Sequence, residues 1–287
     1  MTEMKYIKEL LSTATGSEGT LLIVRKIHDT LINEVAKTLI PRTEAAFVIG
    51  PSQIPGSSYD VDLETPDTLD IREIAEGANI TIDQNGYTNV NVKPLKYGVG
   101  VRITREMLED AKWNLLERNI MIAGKRFAEN ENSLVIQQLD TAANTVSGGA
   151  AITIANITRA MQYLEDSDYT PTTMAVGNEV LNDLRNIDTF VEADKLGSTE
   201  MIQRGFVGKL YGLNVIRFSS QATPTPGTYT KYAYVWDKMQ AYCIVEKRPI
   251  SVERFELPSN DMSAASVTHR IAVKALRTPA ICLITTS

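Results

Sequence analysis

Apolar residues near the start of the chain recur with the period of a helix. Between Leu21 and Leu39 they return at every third or fourth position, and Pro41 stops the pattern. This spacing predicts one amphipathic helix with a single apolar stripe. Such a helix could pack on its own domain or extend as an arm onto a neighbouring copy of the chain, and the pattern leaves both arrangements open.

A second and longer helical pattern begins after Thr104. This residue is a suitable N-cap, and the acidic residues that follow it favour the first turns of a helix. Apolar residues then keep a loose helical spacing to about residue 143 without any proline. Because helices in globular proteins average about 11–12 residues, we leave open a break near Gly124 or at 130–132.

Between these two helices the apolar pattern changes from helical to alternating. Residues 57–63 and 68–74 each predict a short strand, and Asn85-Gly86 favours a type I′ hairpin turn. Acidic and apolar residues alternate strictly through 60–64, which places three carboxylates on one strand face. Because the segment is polar and irregular, we expect a projecting two-stranded loop that needs another surface to lie on.

The remainder of the chain combines strands with short helices. Residues 87–103 predict strand, with bends at Pro94 and at the glycines 98 and 100. After 147–149 the pattern alternates between helix and strand, which predicts a compact α/β unit up to about residue 249 and returning strands after it. The predicted helices are 156–166 and 178–186, and the predicted strands are 172–176, 206–210, 213–218, 232–236, 241–245, 250–257, 267–276 and 280–284.

Composition places the chain among globular proteins. Its 287 residues are 43% apolar and 22% charged, which suits one large domain or two modest ones. No stretch approaches the ~18 apolar residues of a membrane span, and residues 1–11 lack the apolar core of a secretory signal. We therefore expect neither membrane association nor secretion.

The net charge is concentrated in one short segment. Residues 59–76 contain seven acidic residues and a single arginine, which accounts for the whole net charge of −6. The chain has no run of lysine or arginine, so sequence-specific recognition of nucleic acid is not expected. The charge pattern therefore directs attention to the acidic loop.

Candidate catalytic chemistry is sparse. Cys243 and Cys282 lie far apart without zinc-ligand spacing, and the sequence does not support a Cys–His nucleophile. His28 is expected on the solvated surface of the first helix. His269 alternates with apolar neighbours, which predicts an ordinary hydrogen-bonded residue of a sheet. The acidic residues of 60–64 could bind a divalent cation, but a solvated or ion-paired face is favoured. We expect no catalysis and no cofactor.

Three phrases of the sequence stand in an order that is found in one protein family. Residues 99–111 (Val-Gly-Val-Arg-Ile-Thr-Arg-Glu-Met-Leu-Glu-Asp-Ala) read as a strand that enters a long helix. Residues 129–133 (Glu-Asn-Glu-Asn-Ser) form an acidic group late in that helix, and 210–216 (Leu-Tyr-Gly-Leu-Asn-Val-Ile) form a later strand. In this order they resemble the HK97-like major capsid proteins of tailed viruses, although Asn214 replaces the proline that is common in the last phrase.

The resemblance implies an α+β, HK97-like capsid fold. Its regions would be an N-arm at 1–45, an extended E-loop hairpin at 46–88, a P-domain with a long spine helix at 89–146, an α/β A-domain at 147–249, and returning P-domain strands at 250–287 that include the capsid P-loop at 258–265 and a terminal A-domain strand.

The resemblance also implies a function and a set of partners. Copies of the chain would form hexamers and pentamers of an icosahedral shell that encloses packaged double-stranded DNA in a virion. Assembly in the host cytoplasm would involve a portal and, where needed, scaffolding and cement proteins. Since the chain begins almost at the arm, scaffolding would be a separate protein or would be unnecessary. No lysine lies between Lys37 and Lys93, so the cross-link that some members form through an E-loop lysine is not expected.

The acidic loop is the predicted contact with a neighbouring copy. We expect its carboxylates to meet basic groups there, which would set the register of the contact. The acidic residues are Asp60, Asp62, Glu64, Asp67 and Asp70, and the candidate basic partners are Lys125, Arg126, Lys247, Arg248 and Arg254.

Three alternatives to a viral capsid remain open at this point. An encapsulin-type shell would share the fold and enclose cargo enzymes. A soluble cytoplasmic α/β enzyme would be a monomer or a small oligomer with a polar pocket. A tail or tube protein would form open helical polymers instead of closed shells.

Overall fold

The computed structural model describes residues 41–65, 69–80, 82–104, 115–149, 151–185, 206–218, 231–257 and 262–286. The helix predicted at 21–39 and the first turns of the helix predicted after Thr104 lie outside these residues, as does Asp67.

The described residues form strands, three α-helices and short 3-10 turns. The helices are α1 (Leu115–Leu139), α2 (Ile154–Glu165) and α3 (Asn178–Arg185). The strands are β1 (Phe47–Ile49), β2 (Tyr59–Glu64), β3 (Tyr87–Val92), β4 (Leu95–Thr104), β5 (Asn144–Ser147), β6 (Thr173–Val176), β7 (Phe206–Leu210), β8 (Leu213–Arg217), β9 (Lys231–Trp236), β10 (Tyr242–Leu257), β11 (Met262–Ala275) and β12 (Ile281–Thr286).

One sheet has four strands in the order β1-β10-β11-β4 and carries α1 on one face. Ile120, Ala123 and Phe127, which are spaced by three or four residues, lie on one side of α1 and pack with Val267 of β11. The helix runs through Gly124 and 130–132 without the break that the sequence left open. On β11, residues with odd numbers from 265 to 273 are buried, whereas 266, 268, 270 and 272 are half-buried on the opposite face of the sheet.

The second sheet has six strands in the order β5-β12-β9-β6-β8-β7, and α2 and α3 pack against it. Ile157, Ala160 and Leu164 form the buried stripe of α2. Strands β7 and β8 meet at Tyr211-Gly212, where both residues have positive φ angles of 49° and 86°. This is the geometry of a type I′ turn, and it confirms the prediction of two strands around this dipeptide.

A third cluster of buried residues joins the two sheets. Trp236 comes from the six-stranded sheet, Tyr242 and Ile271 come from the four-stranded sheet, and Leu139 comes from the end of α1. All four are fully buried. The two sheets therefore share one continuous core.

The predictions for β10 and β11 were partly wrong. Residues 241–245 and 250–257 were expected as two separate strands, with the first in the α/β unit, but both belong to the single strand β10 of the four-stranded sheet. Irregular pairing on both sides of Arg248 lets the strand continue past Pro249, because a bulge tolerates proline. Strand β11 begins at Met262, so residues 262–265 are strand although they were predicted as loop.

The prediction for the projecting loop was right about β2 and wrong about its partner. Strand β2 pairs antiparallel with β3, whereas the described residues of the strand predicted at 68–74 have no regular structure. Residues 65–86 connect the two strands, so Asn85-Gly86 does not form a two-residue hairpin turn. The pairing with β3 is favoured because Val90 and Val92 extend the apolar face of β2, which charged residues at 70–73 could not do.

Candidate intersubunit surfaces

The hairpin of β2 and β3 is anchored through its apolar face. Val92 is buried, and Val61 and Val90 pack with it against Val245 of β10 and Ala272 of β11. This anchorage occurs on the face of the four-stranded sheet that lies opposite α1. The opposite face of the hairpin therefore points away from its own body.

Two polar contacts fix the ends of this hairpin. The ammonium group of Lys247 donates a hydrogen bond to the carbonyl of Gly56, just before β2. At the other end, Arg277 Nη2 donates to the carbonyl of Glu64 at 2.7 Å. The acidic strand is thus held by the body through its backbone, and its carboxylates are left for other contacts.

The three carboxylates of β2 lie on the outward face, as predicted. Asp60, Asp62 and Glu64 are exposed, and they alternate with half-buried residues. Asn89 Nδ2 donates to Asp62 at 2.7 Å, and Asn91 donates to Asp60 in the same way. These neutral partners orient the carboxylates without neutralising their charge. Within the described residues, no group of three acidic, cysteine or histidine side chains is arranged to hold a metal ion.

The connection from β2 to β3 carries an exposed apolar surface that the sequence reasoning did not single out. We call it the apolar tip, and its residues are Leu69, Ile71, Ile74, Ile80 and Ile82. Ile71 and Ile82 are almost completely exposed, at 105% and 94%. Nearby, Arg72 pairs with Asp70 at 3.0 Å and with Asp83 at 3.5 Å, so Asp70 already has a partner on its own chain.

Most of the candidate basic partners are engaged within their own chain. Lys125 and Arg126 both pair with Glu129 of the same helix, at 4.0 and 2.9 Å, and Lys247 contacts the carbonyl described above. Arg248 is exposed, and it lines a cavity on the face opposite α1. The side chain of Arg254 lies outside the described part of the chain. Which groups the acidic face meets stays a prediction.

A buried cluster of charges connects the start of the described chain to the four-stranded sheet, and the sequence reasoning missed it. Arg42 binds Glu131 of α1 through Nε and Nη2, at 2.7 and 2.9 Å. It also binds both oxygens of Glu246 on β10, at 3.2 and 3.1 Å. His269 Nε2 lies 2.7 Å from Glu246 Oε1. Glu131 and His269 are each 2% exposed, so the half-buried Arg42 is joined to the body through groups that are largely buried.

The cluster favours the charged forms of Glu246 and Arg42. Burial by itself would raise the pKa of Glu246, but hydrogen bonds from His269 and Arg42, together with the charge of Arg42, lower it to about 2. Burial likewise opposes the charge of Arg42, and its pKa is nevertheless raised because Glu131 and Glu246 bind the guanidinium. The prediction that His269 is an ordinary satisfied residue of a sheet agrees with this contact.

None of the described helices is long and apolar enough to cross a membrane.

Comparison with known proteins shows the family. The sequence profile described as phage capsid protein matches residues 87–283. No curated protein sequence matches the chain.

Solved structures of viral capsids share the fold. The capsid of the cyanophage P-SCSP1u is 13% identical, with a TM-score of 0.64 over 85% of this chain and 88% of that one. A structure of Mycobacterium phage Che8 is 14% identical, with a TM-score of 0.62 over 87% and 90%. The capsid of a native GTA particle gives the same identity, TM-score and coverage as Che8.

These findings favour a viral capsid over the encapsulin shell and the soluble enzyme. At such identities the structural likeness establishes the fold, and the profile match establishes the family. The chain therefore belongs to the phage capsid protein family, as a major capsid protein with the HK97-like fold whose copies form the icosahedral shell of a virion.

Proposed function

We propose that the hairpin and its apolar tip form a strap that lies across a neighbouring copy in the shell. The observation that supports this is the exposure of the tip. Five large aliphatic side chains within the connection 65–86 are exposed in the described part of the chain, and Ile71 and Ile82 are almost completely so. A group of large apolar side chains exposed close together in the sequence is typical of an interaction site.

The two parts of the strap have different roles in this proposal. Full burial of one isoleucine contributes about 1.5–3 kcal/mol, whereas an exposed ion pair contributes only about 0–1 kcal/mol. The apolar tip therefore supplies most of the affinity between copies. The carboxylates of Asp60, Asp62 and Glu64 set the register and discriminate against wrong contacts.

The charge distribution supports a proposal for the contents of the shell. We propose that the shell, built of hexamers and pentamers, encloses double-stranded DNA that is packaged through a portal. Outside residues 59–76 the chain is neutral as a whole. A near-neutral container suits packaging and release, because a strongly basic lining would hold the phosphates tightly. Assembly in the host cytoplasm, with separate scaffolding or cement proteins, belongs to the same proposal.

Electron microscopy of the assembled protein tests the strap. Ile71→Asp combined with Ile82→Asp is expected to abolish closed shells, because burying a carboxylate at the contact is costly. The conservative pair Ile71→Leu and Ile82→Leu keeps the apolar surface and serves as the matched control. Both variants should keep the circular dichroism spectrum of the unassembled wild-type subunit, since Ile71 and Ile82 are almost completely exposed. Normal shells from the Asp variant would refute the role of the tip.

The content of purified particles tests the second part. Nuclease-resistant double-stranded DNA inside particles from infected cells is the expected result. Particles that contain a folded enzyme and no nucleic acid would contradict the proposal and favour the encapsulin alternative.

A further inference from the structure

Three cations stand side by side on the open face of the four-stranded sheet. Arg270 of β11 is directly opposite Arg248 of β10 on one side and directly opposite Lys96 of β4 on the other. Residues that are directly opposite in paired strands project from the same face, so the three side chains form one row. Lys93 lies just before β4 and completes the group, which we call the cation row (Lys93, Lys96, Arg248 and Arg270).

The cation row has no counter-charge within the described part of the chain. Arg270 Nε donates to the carbonyl of Pro94 at 3.1 Å, which is a neutral partner. Lys93, Lys96 and Arg248 make no ion pair with any described carboxylate. All four side chains line one cavity of about 380 Å³, together with Pro94 and Leu95. Like charges that are directly opposite across strands destabilise a sheet, so this arrangement favours binding of an anionic group.

The surface around the cation row is open on one side. The chain's own hairpin covers the sheet at Ala272, next to the row. Beyond the row the same face carries the small residues Gly98, Gly100, Ser266 and Thr268, which are opposite one another on β4 and β11. A side chain added at Gly100 would meet no heavy atom within 4 Å. A second extended strand could therefore approach this part of the sheet closely.

We propose that the cation row receives the carboxylates of Asp60, Asp62 and Glu64 from the hairpin of a second copy. This inference rests on the proposed function, because it names the surface that the strap contacts. Neighbouring strands are about 4.8 Å apart, so the row spans roughly 10 Å from Arg248 to Lys96. Alternate residues of a strand are about 6.7 Å apart, so the three carboxylates span roughly 13 Å. Long lysine and arginine side chains bridge that difference.

The placement of the two charged surfaces explains why the contact joins different copies. The apolar face of the hairpin is packed on its own sheet, so the carboxylates point away from the body that carries the cation row. Each copy thus presents one acidic and one basic surface that its own fold keeps apart. Such a contact is head-to-tail, and a head-to-tail contact closes rings when its rotation closes.

The cation row differs from the basic groups that the sequence suggested. Only Arg248 is common to both sets, since Lys125 and Arg126 share Glu129 and Lys247 holds the start of the hairpin. Pairing register between distant strands places Arg270 and Lys96 beside Arg248. Phosphate groups of packaged DNA are the competing ligand of the row, and the experiment below separates the two.

Cross-linking of assembled particles tests the contact directly. Shells are formed from a mixture of ordinary and ¹⁵N-labelled chains and treated with a carbodiimide, which joins a carboxylate to a lysine only where they touch. The expected result is isotopically mixed peptides that link Asp60, Asp62 or Glu64 to Lys93 or Lys96. These peptides should be absent when the particles are dissociated before the carbodiimide is added. If closed shells form without these links, the contact is wrong while the proposed function stands. If no shell forms under any assembly condition, the proposed function fails first.

A pair of variants gives a second, independent readout. Arg248→Met removes one like charge from the row, so the melting temperature of the unassembled subunit should be no lower than that of wild type. The shells should nevertheless dissociate at a lower urea concentration, because one cation of the contact is lost. A purely structural arginine would lower both. Asp62→Asn keeps the hydrogen bond to Asn89 but loses the charge. Shells of the double variant, Asp62→Asn with Arg248→Met, should dissociate at no lower urea concentration than shells of either single variant. Asp62→Asn combined with Arg126→Met is the matched control, for which the effects should add.

Two results would overturn the contact. If the effects of Asp62→Asn and Arg126→Met failed to add while those of Asp62→Asn and Arg248→Met did add, the acidic face would contact α1 and not the cation row. Protection of Lys93 and Lys96 from acetylation in DNA-filled particles, together with full reactivity in empty ones, would assign the row to phosphate.

Discussion

The charge of Glu246 should control the stability of the unassembled subunit. Replacing Glu246→Gln keeps the shape of the side chain and one acceptor oxygen, but it removes the negative charge between Arg42 and His269. The lowering of the Glu246 pKa from 4.5 to about 2 corresponds to roughly 3 kcal/mol in favour of the folded state. We expect the variant to lose up to about that free energy of unfolding at neutral pH.

The sign of the pH dependence follows from the same lowered pKa. A carboxylate whose pKa is depressed by folding stabilises the protein above its ordinary value of 4.5, and this stabilisation is lost as the pH falls through about 2. Wild type and Glu246→Gln should therefore differ most at neutral pH and converge in acid. Other carboxylates titrate in both proteins. The difference between the two plots of unfolding free energy against pH therefore reports the contribution of Glu246 alone.

Urea denaturation followed by circular dichroism at several pH values measures this difference. The subunit must be kept dilute, since assembly would add its own stabilisation. Glu253→Gln is the matched control, because Glu253 lies exposed on the same strand and makes no described ion pair. If Glu246→Gln follows the wild-type pH curve, or matches its stability at neutral pH, the charge cluster does not act as described.

Three further outcomes are expected. Leu139→Ala, at a fully buried position where the two sheets meet, should lower the free energy of unfolding by about 2–5 kcal/mol in urea. Burial raises the pKa of Cys243 and Cys282 to about 12, so neither thiol should react with iodoacetamide near neutral pH until the protein unfolds, and rapid alkylation of the native subunit would contradict this. Val92→Asp should detach the hairpin from the sheet and speed proteolysis within 65–86, whereas Thr88→Asp, at an exposed position of the same strand, should leave the cleavage rate unchanged.

Features set by neighbouring residues were predictable from the sequence. Two strands were predicted at 206–210 and 213–218, with residues 211–212 between them where the turn lies, and the helix predicted at 156–166 corresponds to α2. The alternation in 60–64 placed the three carboxylates on one strand face, which the structure confirms. In each of these cases the information lies within a few residues of the feature.

Features set by pairing between distant segments were not predictable in the same way. The partner of β2 was misassigned to 68–74, because a nearby segment was preferred over the apolar face that β3 offers. The buried cluster joins Arg42 to Glu131, Glu246 and His269 across most of the chain. One signal was present: Glu131 follows Phe127 by four residues and precedes Val135 by four, so it lies on the buried stripe of α1. A charge at such a position indicates a buried partner, although it does not identify that partner.

The common core of the two sheets has a mechanical consequence for the particle. The side chains that pack together in this core come from both sheets and from α1, and they are Leu139, Trp236, Tyr242 and Ile271. Bending one sheet against the other would open cavities in this close-packed core. Each subunit should thus behave as a rigid body. The differences in tilt between the subunits of pentamers and hexamers in a closed shell would then be accommodated at the interfaces between subunits.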